Sequence, residues 1–245
     1  MTKIHVLPMK ELIQPELLVN ADVVVYDVLL ATSSILFLLN KNYRPIIAVE
    51  NAQEAMRLKE QKYREALLIG EENGDPIESF MYPDPEIFDS VSSSQMSIFC
   101  TTNGTRAIQA AKHAKNLWVG SISNNNVLAS HLKTEGAKSI VLIAAGNVGR
   151  MSLEDMLGAG HFIDHYKQLG TVELTDSARI AFGLYQQTKD EEGWTLFNSE
   201  THRLLTDKGF KGATRYVLDH INQLDIVAKY DKSIGTIDIV SRKVR

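Results

Sequence analysis

The run Ala-Asp-Val-Val-Val-Tyr at residues 21–26 is β-branched and apolar, without the strict alternation of a strand that is wet on one face. Such a strand is stable only when both faces are covered, which places it inside a parallel sheet flanked by helices. Ser139–Ala144 (S-I-V-L-I-A) has the same character and is the clearest strand in the chain. Each run ends in polar or glycine-rich residues and then passes into a helical pattern. Asp27 and Ala31–Leu39 follow the first; Ala145-Gly146-Asn147-Val148-Gly149 and Ser152-Leu153-Glu154-Asp155 follow the second. Ser152 and Asp155 are spaced almost as a capping box. Further strands are predicted at Ile4–Leu7, Pro45–Val49, Ala66–Ile69, Ser97–Cys100, Asn116–Val119 and, late in the chain, Thr236–Val240. Helices are predicted over Ala52–Tyr63, capped by Asn51, over Asp176–Tyr185, around Leu204–Leu205 and over Tyr216–Ile221, whereas the proline-bearing stretch 75–89 reads as irregular. The polar run Ser121–Asn126 reads as a break after a strand. Strands alternating with helices define an α/β fold, three-layer α/β/α with a mostly parallel sheet. No repeat or linker divides the chain, so residues 1–245 are expected to form a single α/β domain.

Composition narrows the partners. With 26 Lys and Arg against 30 Asp and Glu, the formal net charge of −4 argues against a nucleic-acid binder that works by neutralising phosphates. A single cysteine excludes an intrachain disulfide. The N-terminus has no long apolar segment, and the longest apolar cluster, Ile35–Leu39, falls far short of a membrane span. The expectation is a cytoplasmic protein with no membrane or nucleic-acid partner, a homodimer being left open. The basic end, Arg242-Lys243-Val244-Arg245, reads as a solvated tail.

In parallel sheets the strand-to-helix loops share one edge, and ligands sit beyond the strands' carboxyl ends. Asp27, Glu71, Thr101–Thr105 and Gly146–Asp155 all fall in such loops. The turn Thr101-Thr102-Asn103-Gly104-Thr105 offers three hydroxyls, an amide and N–H groups at a helix N-terminus, where an anion is favoured. Arg106 lies one residue beyond and has the fork to grip a phosphate. The bland alternative is a capped loop with Thr105 as the cap. Asp27 and Glu71, with Glu154 or Asp155, are hard oxygen ligands of the kind Mg²⁺ takes alongside waters and substrate phosphate. Each also reads alone as a solvated or first-turn helix acid, and no pair has a diagnostic spacing. Taken together, the edge predicts a site for a small anionic phosphate ester. Asp27 and Glu71 are its catalytic candidates, and Asp27, Glu71, Glu154 and Asp155 its Mg²⁺ candidates. Thr101, Thr102, Asn103, Gly104, Thr105, Arg106 and Gly146 are its substrate-binding candidates.

Two rival chemistries are visible. Cys100 and Arg106 fit C-x5-R, the loop in which a low-pKa thiolate attacks phosphorus, although Phe99 and Ala107 depart from the usual neighbours. A cysteine that closes an apolar strand more simply packs. His161 and His165 are spaced i, i+4 on a predicted helix and could share a metal, but without H-E-x-x-H a solvated helix face is expected.

The edge segments together resemble the 2-phosphosulfolactate phosphatase family, Mg²⁺-dependent enzymes of coenzyme M biosynthesis. Val25-Tyr26-Asp27-Val28-Leu29-Leu30-Ala31-Thr32-Ser33 is similar to the family's V-I-D-V-L-R-A-T-S/T, and Gly70-Glu71-Glu72-Asn73-Gly74 to G-E-R-x-G. Thr101–Thr105 matches T-T-N-G-T, and Ser152–Asp155 with Gly160 matches S-L-E-D…A-G. The resemblance spans roughly residues 1–165. It implies a three-layer α/β fold and Mg²⁺-dependent hydrolysis of (R)-2-phospho-3-sulfolactate to 3-sulfolactate and phosphate. Two family arginines are replaced here, by Leu30 and Glu72, and Ser79–Pro85 lacks the family's Gly-Asn-Ser turn. Those losses motivate a second expectation, a catalytically silenced member that binds anions or serves in assembly.

Overall fold

The computed structural model describes residues 1–90, 95–190 and 194–243. Its strands are β1 (Thr2–Leu7), β2 (Asp22–Tyr26), β3 (Ile46–Val49), β4 (Leu67–Glu72), β5 (Asp75–Pro76), β6 (Ser97–Cys100), β7 (Asn116–Gly120), β8 (Ser139–Ala144), β9 (Val172–Leu174), β10 (Ile226–Asp231) and β11 (Thr236–Arg242). The helices are α1 (Pro15–Leu18), α2 (Ala31–Asn40), α3 (Ala52–Gln61), α4 (Gly104–Ala111), α5 (Asn125–Thr134), α6 (Leu153–Gln168), α7 (Asp176–Thr188), α8 (Trp194–Phe197), α9 (Glu200–Asp207) and α10 (Ala213–Asp219). A short 3₁₀ turn covers Lys10–Leu12. The strands form one sheet in the order β5-β4-β6-β3-β11-β10-β7-β2-β8-β1-β9.

The uninterrupted apolar runs are explained by burial on both faces. Val23 and Val25 of β2 pack with α2 and α4, while Val24 and Tyr26 point the other way into a core shared with α5, α6 and α7. Each fully buried aliphatic side chain contributes about 1.5–3 kcal/mol, so β2 anchors both layers. All of Ala31–Leu39 is buried, so Ile35–Leu39 is apolar on every side of α2, while Thr32, Ser33 and Ser34 of its first turn are buried with hydrogen-bond partners.

The sheet is mostly parallel, with an exception at its middle. β10 and β11 form an antiparallel hairpin that joins two parallel blocks, β10 pairing with β7 and β11 with β3. Sequence patterning found β11 but not β10, whose apolar run Lys229 interrupts, nor the three-residue β9, nor the two-residue β5 within the stretch read as irregular. β4 also runs on to Glu72, so Glu71 lies at the end of a strand, opposite Pro76 of β5, and not in the loop expected for it. Helix α5 was also missed. Its polar entry, Ser121–Asn125, is buried, and Asn124 Nδ2 donates to the Ile226 carbonyl (3.2 Å) while Asn125 Oδ1 accepts from Tyr26 Oη (2.9 Å). Those side chains are internal links, not a solvated break. Arg242 likewise belongs to β11 and donates to Asn40 Oδ1; Val244 and Arg245 lie outside the described residues.

The hairpin has a geometric consequence. Four strands separate β6 from β2, so a flat sheet would hold their ends roughly 24 Å apart at about 4.8 Å per strand. Yet a Cβ on Gly104, just after β6, would lie 2.7 Å from Asp27 Oδ2, just after β2. The sheet therefore curls and brings its two arms together around α2 and α4.

Helices α6 and α7 also pack at close range. A Cβ at Gly160 would sit 2.2 Å from the Ala181 carbonyl oxygen, an atom of a helix backbone that cannot move aside. Gly160→Ala is expected to destabilise the fold by about 1–3 kcal/mol, read as a lowered midpoint in urea unfolding; an unchanged midpoint would contradict this packing.

Candidate active site

Four loops, following β2, β4, β6 and β8, meet at one cavity of about 120 Å³. That is below the roughly 300 Å³ of pockets for drug-sized ligands, a size for a small molecule. Asp27, Glu71, Thr101, Thr102, Asn103, Gly146, Glu154 and Asp155 all line it. Gly104 stands behind Asp27, and its lack of a side chain lets the N-terminus of α4 approach that carboxylate.

The acidic groups are held by different partners. Both Asp155 oxygens accept backbone N–H groups, Oδ1 from Val28 (2.8 Å) and Oδ2 from Gly146 (3.0 Å), so this residue stitches the loop after β2 to the loop after β8. Ser152 takes the N-cap position of α6 without a side-chain cap bond, so the near capping box does not form and Asp155 serves these loops instead. Glu71 Oε1 accepts from the Thr102 N–H (2.7 Å), and its Oε2 accepts from the Gly74 N–H (2.6 Å) and Thr102 Oγ1 (3.1 Å). Asp27 is less committed, accepting from the Ala31 N–H at 3.3 Å.

Asp27, Glu154 and Asp155 are buried together, and none of the described residues lining the cavity carries a positive charge. Burial, with repulsion from Glu71 and Glu154, pushes the Asp27 carboxyl up to about 7 against the N–H groups of Ala31 and Gly104. Burial also raises Glu154, against the hydroxyls of Thr201 and Ser199. Asp155 is pushed well up by burial first and then by Asp27 and Glu154. Among the described residues no three acidic, histidine or cysteine side chains are gathered closely enough to hold a metal ion by themselves. The donor set is nonetheless entirely hard oxygen.

The Thr101–Thr105 turn is knitted to itself. Thr101 N–H donates to Thr105 Oγ1 (2.9 Å), Thr105 N–H to Thr101 Oγ1 (3.2 Å), and Thr105 Oγ1 to the Thr101 carbonyl (3.0 Å). Asn103, not Thr105, occupies the N-cap position of α4, and Thr105 is buried inside the helix. Arg106 is exposed and turned away, its Nε–H donating to the Glu50 carbonyl (3.3 Å), and it does not line the cavity.

Cys100 is buried, and burial followed by repulsion from Glu71 raises its thiol to about 11. A thiolate nucleophile needs the opposite shift, so the C-x5-R chemistry finds no support here. His161 is buried as well, not solvated. It shares a hydrogen bond with His165 (Nε2 to Nε2, 3.0 Å) and meets Asn125 Nδ2 at Nδ1 (3.2 Å), in a polar network under Tyr26, and it lines a different cavity from the acidic residues.

Sequence patterning missed one wall. Thr201, Leu204 and Leu205 of α9, with Tyr82, close the cavity from the C-terminal part of the chain. The Leu204–Leu205 pair in a polar helix was the available signal.

An α/β fold with a polar cavity outside the carboxyl ends of its strands is the arrangement in which open sheets bind small ligands. The family is more specific. The model of the 2-phosphosulpholactate phosphatase family matches residues 7–233, and the chain belongs to that family. It is 32% identical over 236 residues to a probable 2-phosphosulfolactate phosphatase of Carboxydothermus hydrogenoformans, covering 95% of this chain and 97% of that one. It is 30% identical to the similarly named protein of Clostridium novyi, covering 89% and 92% of the two chains, and 31% identical to that of Clostridium acetobutylicum, covering 79% and 83%.

The raised Asp27 has a stability consequence whose sign is fixed. A carboxyl whose pKa rises on folding keeps its proton in the native state after the unfolded chain has lost it. Between 3.8 and about 7, rising pH therefore favours the unfolded chain through this residue. Asp27→Asn removes that dependence. In EDTA, the variant's melting temperature minus that of wild type is expected to climb from about pH 4 to pH 8, by an amount equivalent to a few kcal/mol at most. A flat difference would mean that Asp27 is not raised.

Proposed function

We propose that the protein is a Mg²⁺-dependent phosphatase that hydrolyses 2-phosphosulfolactate, or a closely related small and multiply anionic phosphate ester, to the alcohol and phosphate. Family membership supports the reaction. The observation that supports the ion is the burial of Asp27, Glu154 and Asp155 around one cavity without a positive side chain in its lining.

The donors fit Mg²⁺ in kind. This ion takes oxygen ligands, keeps several waters, and is usually bound through one or two carboxylates plus substrate phosphate, so a dedicated protein cage is not required. Asp27 and Glu154 would hold it, Asp155 being braced behind them by its two backbone bonds. Bound there, it would neutralise the phosphate and lower the pKa of a water.

The chain's own residues do the positioning on which phosphoryl transfer depends. Glu71 holds the Thr102 N–H and hydroxyl and so fixes the turn after β6. With its oxygens engaged by three donors, it acts by holding the turn. The N-terminus of α4 points its dipole toward the same space, which favours an anion. Leu29, Leu30, Leu204 and Leu205 line the cavity and limit water around the ester. Water attacks phosphorus as the ester P–O bond breaks, and the proton it loses offsets the one that the alkoxide gains.

Phosphate release from 2-phosphosulfolactate is expected with Mg²⁺ and not with EDTA. Asp27→Asn and Glu154→Gln should each lower kcat/KM by about 100-fold or more, in line with the loss of a preorganised charge-stabilising group. Cys100→Ser should stay within about 3-fold of wild type, because a buried thiol above its normal pKa has no part in the reaction. Turnover that survives EDTA, or is lost in Cys100→Ser, would overturn the mechanism. If correctly folded protein in Mg²⁺ hydrolyses nothing, the anion-binding role motivated by Leu30 and Glu72 takes its place.

A further inference from the structure

A substrate with a phosphate and further acidic groups needs more positive charge than one divalent ion supplies, yet the cavity lining has none. Lys10 brings one to within a hydrogen bond of it. Its 3₁₀ turn is tied to the loop after β8 by the Lys10 N–H, which donates to the Ala145 carbonyl (3.2 Å). Its side chain is 13% exposed; Nζ donates to Asn103 Oδ1 (2.7 Å) and forms an ion pair with Glu11 Oε1 (2.8 Å), whose own side chain is 41% exposed to water.

The Asn103 contact has a directional consequence. Lys10 Nζ and the Val148 N–H (3.3 Å) are both donors, so the amide atom that faces them must be the oxygen. The amide nitrogen then points away from both, and it has no hydrogen bond among the described residues, on a side chain that lines the cavity. Elsewhere in the turn the N–H groups of Thr101, Thr102 and Thr105 are already engaged.

We propose that Lys10 and Asn103 form the anion-recognition element of this site. Lys10 fixes the amide with its nitrogen toward the substrate and places a positive charge one hydrogen bond behind it, selecting esters that carry a second acidic group. The inference rests on the phosphatase reading above and deepens it by assigning substrate selection to a residue outside the acidic loops.

The test compares wild type, Lys10→Met and Lys10→Arg in the full-length protein with Mg²⁺, using 2-phosphosulfolactate and phenyl phosphate. Lys10→Met is expected to raise KM for 2-phosphosulfolactate about 10- to 100-fold, the range for loss of a charge-assisted contact, with kcat within a few-fold. KM for phenyl phosphate should move less than about 3-fold, and Lys10→Arg should recover most of the loss. An unchanged KM, or an equal rise for both esters, overturns the assignment, since a merely structural lysine would not discriminate between them. If wild type hydrolyses neither ester, the phosphatase reading fails separately. Calorimetric titration with 3-sulfolactate then decides: binding lost in Lys10→Met and kept in Lys10→Arg upholds the element, while equal binding by all three, or binding by none, overturns it.

Discussion

Three carboxylates buried against one another set the terms for the rest of the molecule. Asp27, Glu154 and Asp155 repel each other in a region that water does not reach freely, and the lining of their cavity holds no cationic side chain. Ionising buried groups without a cationic partner costs several kcal/mol per group after relaxation, which is why all three carboxyls titrate high, and the surrounding structure must supply them with polar partners. It does so with backbone donors: Asp155 takes the N–H groups of Val28 and Gly146, Asp27 those of Ala31 and Gly104. All of these donors but Gly104, which opens α4, follow β2 or β8, strands paired over five residues and buried on both faces. The rigid centre of the sheet therefore offsets the electrostatic cost at its edge.

The same requirement explains the curl. Glu71 reaches the Thr102 turn easily because β4 and β6 are neighbours, but Asp27 belongs to the other parallel block. Only by bending round α2 and α4 does the sheet bring both blocks to one cavity, and Gly104 marks the point of closest approach. The antiparallel hairpin β10–β11 is the joint, linked to β3 through Ile237 opposite Ile46 and to β7 over three residues. Adjacent arrangement of the four loops along a flat sheet edge would not have produced this site.

Much of this was legible in the sequence where the signal is local. The buried parallel strands announce themselves as β-branched runs, Asn51 as a cap does accept from the Glu54 N–H, and polar residues clustered after strands point to one edge. What was not legible depends on partners far along the chain. Ser121–Asn125 looks like a wet break until Tyr26, Gly158 and Ile226 are seen to satisfy it. His161 looks like a surface residue until Asn125 and His165 enclose it. Arg106 looks aimed at the turn beside it, yet helix geometry carries its side chain to Glu50. Lys10 gives no local hint at all, since the turn it completes lies 93 residues away.

The wall formed by α9 shows how the C-terminal third takes part although its sequence pattern is weak. Two ion pairs strap this helix, Arg150 to Glu200 at 3.2 Å near its start and Lys208 to Asp75 just beyond its end. Both Arg150 and Glu200 are about two-thirds exposed, and pairs of that kind contribute about 0–1 kcal/mol. The apolar contacts must then hold the helix: Leu205 is buried in the core shared with α6 and α10, and Leu204 packs over Gly74, where a Cβ would meet it at 3.0 Å. Gly74 is the residue whose N–H binds Glu71. The wall thus rests on the loop that orients an acidic residue of the site, so moving α9 outward would loosen the Glu71 anchor as well as admit solvent. The position of this wall and the alignment of the turn are in this way coupled through Gly74, and apolar packing, not surface charge, holds the wall in place.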